Sequence, residues 1–154
     1  MPDDNKEVLV VERKSLFPTQ RHFFEGFKPA EEADYESIIE RIFSSMIHKE
    51  ASTRPDFKQP IAYVAIYNPR ERKLFVYQRA SKKEHYSETG LQGKWSMGFG
   101  GHMEPPDRMH RNTIRGSLIR EIGEETGLEG RLENPRILGY INDESNETNR
   151  VHFG

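Results

Sequence analysis

The chain has 154 residues and a mass of 18.0 kDa, the size of one domain. A net charge of −2 gives no electrostatic basis for gripping nucleic acid or an anionic membrane, and zero cysteines exclude disulfides, thiolate metal sites and a cysteine nucleophile. No apolar run reaches the ~18 residues that span a bilayer, and the acidic N-terminus has no signal-peptide core, so a cytoplasmic protein is expected.

Val8–Glu12 reads as a short strand. Residues 15–29 hold two prolines and the cluster Phe23, Phe24 and Phe27, the composition of an irregular segment. Ala30–Lys49 reads as a helix, because Tyr35, Ile38, Ile39, Ile42, Phe43, Met46 and Ile47 recur at intervals of three and four. Residues 51–59 contain Pro55 and read as a connection. Ile61–Tyr67 is apolar or aromatic on both alternating sets, which predicts a strand covered on both faces. Asn68–Arg72 reads as a hairpin turn and Leu74–Arg79 as the returning strand. Residues 80–93 form a long polar loop, and Trp95–Phe99 a short strand. Met109–Thr126 is a helix with Ile114, Leu118 and Ile122 on its core face, capped at its C-terminus by Gly127. Arg136–Ile141 and Arg150–Phe153 are further strands. Strands before and after a helix, with a second helix near the N-terminus, predict a mixed sheet between helices: an α/β protein with an α/β/α sandwich.

The chemistry concentrates in residues 98–128. A glycine turn, Gly98-Phe99-Gly100-Gly101-His102, precedes the helix that carries Glu121, Glu124 and Glu125. Positions i, i+3 and i+4 lie on one helix face. Three like charges so close repel one another, and a solvated acidic face is the ordinary reading of such a triplet. Oxygen donors alone suit a hard divalent ion, Mg²⁺ or Mn²⁺, which works with phosphates as co-ligands.

At these residues the chain resembles the Nudix hydrolases. Their signature is Gly, five residues, Glu, seven residues, then Arg-Glu-aliphatic-x-Glu-Glu-x-Gly-aliphatic. Arg120, Glu121, Ile122, Glu124, Glu125, Gly127 and Leu128 match the second half at every specified position. The first half departs from it: Gly101 plus five residues arrives at Asp107 rather than Glu, and twelve residues rather than seven separate Asp107 from Arg120. The box at 101–128 thus carries a five-residue insertion and a shortened acid. Lys94–His102 is similar to the strand that precedes Nudix boxes, and the wider pattern is similar to an uncharacterised, bacterial-type branch of the family. The likeness covers a core at 60–154, with 1–59 as an N-terminal strand and helix extension, in a single domain over 1–154.

The resemblance implies the Nudix sandwich and a metal-dependent hydrolase that cleaves the pyrophosphate bond of a nucleoside diphosphate linked to another moiety. It implies Glu121, Glu124 and Glu125 as Mg²⁺ or Mn²⁺ ligands, Glu124 directly or through water, with the carbonyl of Gly100 as a further ligand. Arg120 would orient the carboxylates and act with Glu121 and Glu124 in catalysis. Asp107 either orients Arg120, binds metal, or is a loop charge; Glu104 is a similar case. Arg79 and His102 are candidate substrate contacts, each with a plain surface role as the alternative. Trp95 reads as core rather than as a stacking platform, and Ser81–His85 as a solvated loop. The resemblance implies a small nucleotide-type diphosphate as partner, with no nucleic acid or membrane, and a homodimer, the pairing that Nudix enzymes often show. The other function class is a Nudix-fold nucleotide-binding or regulatory module that has lost turnover; isopentenyl-diphosphate isomerase shares the fold but needs a cysteine. Arg150–Gly154 reads as a strand cut at its middle, so a C-terminally incomplete fold is also expected.

Overall fold

The computed structural model describes residues 4–80, 92–127 and 135–154. Leu128 and the Ser81–His85 loop lie outside these.

Strand β1 (Glu7–Glu12) has its four inner residues buried in succession, the pattern of a strand covered on both faces. It lies between β3 (Ser44–Ile47) and β4 (Phe57–Val64) in the order β11-β4-β1-β3, and β9 (Phe99–His102) also pairs with β4. All these pairings are antiparallel except β11 (His152–Phe153) on β4, so the sheet is mixed. Two-residue antiparallel pairs complete the strands: β5 (Tyr67–Asn68) with β6 (Lys73–Leu74), and β7 (Tyr77–Gln78) with β8 (Trp95–Ser96). Separately, β2 (Gly26–Pro29) pairs with β10 (Gly139–Asn142).

Alternation along β1 assigns the layers. Val11 packs with Leu16, Phe17, Tyr35, Ile39, Tyr140 and Phe153, and Leu9 with Ala62, Met103, Ile114 and Leu118. On this side lie α2 (Tyr35–Ile42) and α4 (Thr113–Thr126). Val8 and Val10 face the other way, onto Ala51, Met46 and Phe57, where the single-turn α3 (His48–Ala51) sits. A further single turn, α1 (Arg13–Leu16), leads into the aromatic cluster around Phe17, and α5 (Glu147–Arg150) precedes β11.

Several sequence expectations need correction. The helix expected over Ala30–Lys49 stops at Ile42: Phe43 is extended (φ −64°, ψ 151°), and Ser44–Ile47 pair with β1 from Val10 to Glu7. Met46 and Ile47 continued the helical spacing, but the open edge of β1 claims their backbone instead. Residues 57–59, expected within a connection, open β4, with Lys58 and Gln59 fully buried. The segment 15–29, expected to be irregular, takes in the end of α1 (Arg13–Leu16) and all of β2.

The box helix starts four residues later than expected. Pro105–Met109 form a 3-10 turn, and the Asn112 side chain accepts from the Arg115 N–H at 2.7 Å as the N-cap. The N-terminal segment adds to this cap: Glu40 Oε1 accepts from the Ile114 N–H at 3.0 Å, and Glu36 Oε1 from the Asn112 amide at 2.7 Å. The helix ends on Gly127 at φ +67°, the left-handed position glycine adopts without strain.

Candidate active site

Strand β9 and helix α4 hold the site between them. Gly101 pairs with Ala62 in the ladder, and its α-carbon faces α4. A methyl added there would meet the Glu121 carboxyl carbon at 2.5 Å and Oε2 at 2.6 Å. Only glycine lets the strand come this close to that carboxylate. Gly100, next along, has no room either: an added methyl would lie 2.9 Å from the Tyr63 α-carbon.

Arg120 organises the acids. Its Nε and Nη2 make a two-pronged pair with Asp107, each at 3.0 Å, and Nη2 also donates to the His102 carbonyl at 2.9 Å. Its Nη1 reaches Glu121 at 2.7 Å, Glu104 at 3.0 Å and Glu124 at 3.3 Å. Glu104 also pairs with Lys6, and the Glu104 N–H donates to Asp107 at 2.8 Å. The Asp107 side chain is 3% exposed, so its charge is held by this fork rather than by water. Of the alternatives open for Asp107, its geometry matches the pairing with Arg120. The five-residue insertion keeps that geometry because the 3-10 turn folds Asp107 back over the helix.

Glu121 is buried and Glu124 and Glu125 are exposed, a radial gradient along one helix face. Burial raises the Glu121 pKa above the usual carboxylate range; the Arg120 hydrogen bond and charge pull the other way, while Glu124 and Glu104 add to the rise. Arg120 is driven further into its charged form, its burial outweighed by Asp107 and Glu121. Four carboxylates (Glu104, Asp107, Glu121, Glu124) face two cations (Arg120, Lys6), a surplus of two negative charges. One divalent ion would balance it, and an all-oxygen donor set suits a hard cation. Among the described residues, however, no three acidic or histidine side chains are placed to hold a metal ion, because Glu104, Glu121 and Glu124 converge on Arg120 Nη1 instead.

Other expected residues lie elsewhere. The His102 ring points to the sheet face opposite α4, where its Nε2 is 3.1 Å from Nε2 of His152 and its ring packs edge-on against His48. Burial foremost, then the neighbouring His152, His48, Lys6 and Arg120, lower its pKa to about 3. Arg79 lies over the Tyr77 ring and donates to Ser96 Oγ at 3.4 Å. Trp95, expected in the core, is 71% exposed on its two-residue strand. Sequence reasoning missed Lys6, His48 and His152, whose partners are more than 40 residues away along the chain. It named Gly101 only as the start of the box; the doubled glycine before a helix rich in carboxylates was the available signal.

Comparison with known proteins gives three findings. The family model for the NUDIX domain matches residues 57–153. Protein YmaB of Bacillus subtilis (strain 168) is 32% identical over 152 residues, covering 96% of this chain and 71% of YmaB. The crystal structure of Tm1382, a candidate Nudix hydrolase, superposes with a TM-score of 0.70 at 25% identity, covering 97% of this chain and 72% of Tm1382.

Proposed function

The chain belongs to the Nudix family, and from that premise we propose that it is a Mg²⁺- or Mn²⁺-dependent hydrolase of a nucleoside diphosphate linked to another moiety. The family supports a pyrophosphohydrolase-type function in general terms, and no described helix is long and apolar enough to cross a membrane. The observation that carries the finer reading is the Glu121 carboxylate, buried against a glycine that leaves space for nothing larger, within a cluster carrying two surplus negative charges.

In this reading Glu121 and Glu125 hold the metal, Glu124 does so directly or through water, and the Gly100 carbonyl adds a donor. The ion supplies charge for the phosphate oxygens and a bound water of lowered pKa. Arg120 holds Glu121 and Glu124 in place from behind, itself fixed by Asp107. The nucleotide-type substrate brings its phosphates to the exposed side of the helix, where Glu124 and Glu125 lie.

One observation favours the alternative, a nucleotide-binding module without turnover: Glu121 and Glu124 are both engaged by Arg120. Phosphate release from a panel of nucleoside diphosphate derivatives, with and without Mg²⁺ or Mn²⁺, separates the two. Metal-dependent release that Glu121→Gln abolishes supports the hydrolase. Nucleotide binding with no release under any metal supports the module.

A further inference from the structure

The sheet face turned away from α4 carries a second polar cluster that the hydrolase reading does not use. His102 ends β9 opposite Ile61 of β4, and His152 of β11 stands opposite Gln59. Residues 59 and 61 of one strand share a face, so both imidazoles and the Gln59 side chain emerge on the same side. The two Nε2 atoms are 3.1 Å apart. Two imidazole ligands on one tetrahedral ion, each at ~2.0–2.1 Å, hold their nitrogens about 3.4 Å apart, so a shift of a few tenths of an ångström would seat an ion between them. Gln59 is fully buried, and neither its amide oxygen nor its nitrogen finds a hydrogen-bond partner. Buried polar groups are rarely left so. The Gln59 oxygen is a third donor with no other assignment, and the His48 ring, 4.7 Å from that of His102, shields the pair.

We propose that His102 and His152, with the carbonyl oxygen of Gln59, form a second cation site that takes an imidazole-seeking divalent ion of the Zn²⁺ or Cu²⁺ class. Neutral imidazole prefers such ions, whereas Mg²⁺ prefers the oxygen donors on the opposite face. The site ties the last strand, β11, to β9, the strand that carries Gly100 and Gly101. Its role is structural: it fixes the register of the glycine strand against which Glu121 rests. The inference stands on the histidine face alone and does not depend on the hydrolase reading.

The test uses the full chain. Calorimetric titration should find one Zn²⁺ per chain at this site, and binding should weaken at least tenfold in both His102→Gln and His152→Gln while staying unchanged in Glu124→Gln. Zn²⁺ at a hundred times its Kd should raise the unfolding midpoint by roughly 5–10 °C, a gain lost in both histidine variants. Cu²⁺ bound to the unaltered chain should show coupling to two nitrogens in its electron paramagnetic resonance spectrum. Equal Zn²⁺ affinity in the unaltered chain and either folded variant overturns the proposal. So does a Cu²⁺ spectrum without nitrogen coupling, a result that needs no variant to fold.

Discussion

Two partly buried ion clusters, one around Glu144 and one around Arg120, are built on different charge balances. Around Glu144, Arg13 donates from Nε at 3.1 Å and from Nη2 at 3.0 Å, Lys58 approaches to 3.1 Å, and Glu25 accepts from the Glu144 N–H at 2.9 Å. Two cations meet two carboxylates there. Burial pushes the Glu144 pKa up, but hydrogen bonds and charge from Lys58 and Arg13 outweigh it, and the group lies below the usual range. Around Arg120 the carboxylates outnumber the cations, and one of the two buried ones, Glu121, has its pKa raised. A cluster that only holds a fold together has no reason to keep unbalanced charge out of water. The excess on the α4 side is the charge pattern on which the proposed metal site rests.

The sharpest way to break this contrast is Arg120→Met. It leaves the buried Asp107 carboxylate with the Glu104 N–H but no counter-charge, and removes the main counter-charge to Glu104, Glu121 and Glu124. Loss of one member of a buried pair costs about 3–5 kcal/mol, which denaturant unfolding would read directly. If the surplus charge is a metal site, Mg²⁺ should recover part of that loss. No recovery would mean that the carboxylates do not gather around a cation.

Glu121→Gln should act on function rather than on the fold. Turnover should fall on the order of 100-fold or more, the upper end of what disturbing a metal site's support costs. Stability should not fall. A carboxyl whose folded pKa is raised contributes its stability fully below the unfolded value and loses it as pH rises through the folded one. At neutral pH the charged group is therefore a burden on the metal-free protein, and the neutral amide removes it. The check is one set of melting curves from pH 4 to 8: the substitution should flatten the decline that accompanies ionisation of Glu121. A large drop in midpoint at pH 7 would show that Glu121 is a structural partner of Arg120 and nothing more.

The contrast between the clusters explains what the sequence disclosed. The helix face at 121, 124 and 125 was legible because helical geometry is local, and the Gly127 cap was legible because the left-handed position needs no tertiary knowledge. The fork from Arg120 to Asp107 spans 13 residues across an insertion, and the spacing alone left Asp107 open among three roles. Lys58 and Gln59 fall in the stretch that Pro55 marks as a connection; they are buried because β4 lies between other strands, and Glu144, far along the chain, answers the Lys58 charge. The break of the N-terminal helix at Phe43 was equally unreadable, since Met46 and Ile47 fit both periods and the pairing with β1 decides between them. Fold class followed from element order; the assignment of side chains to the two sheet faces required the ladder registers.

Glu144→Gln tests the balanced cluster. It strips the carboxylate from Arg13 and Lys58, and about 2–3 kcal/mol of stability at pH 7 should go with charge-assisted hydrogen bonds of this kind. The pH dependence has the opposite sign to that of Glu121. A carboxyl with a lowered folded pKa stabilises above its unfolded value, about 4.3, and loses that contribution as pH falls through the folded value. Glu144→Gln should therefore erode acid sensitivity while hydrolysis is retained by whatever fraction is folded. Equal loss of specific activity per folded molecule would move Glu144 into the site.

The smallest effect should come from Lys58→Met. Lys58 is fully buried, and burial lowers its pKa more strongly than Glu144 can restore it. Its charge thus works against folding as pH falls from the alkaline range, while its four-carbon stem packs in the same layer as Val11, its partner in the β1–β4 ladder. Methionine keeps most of that stem, and Arg13 still answers Glu144 with two hydrogen bonds. The change in unfolding free energy should stay under about 1 kcal/mol, in either direction, because an ion pair this deep returns little more than its desolvation costs. A loss several times larger would mean that the Lys58 charge is needed where it is. The balanced cluster would then belong beside the Arg120 cluster as a second place where the protein keeps charge for use.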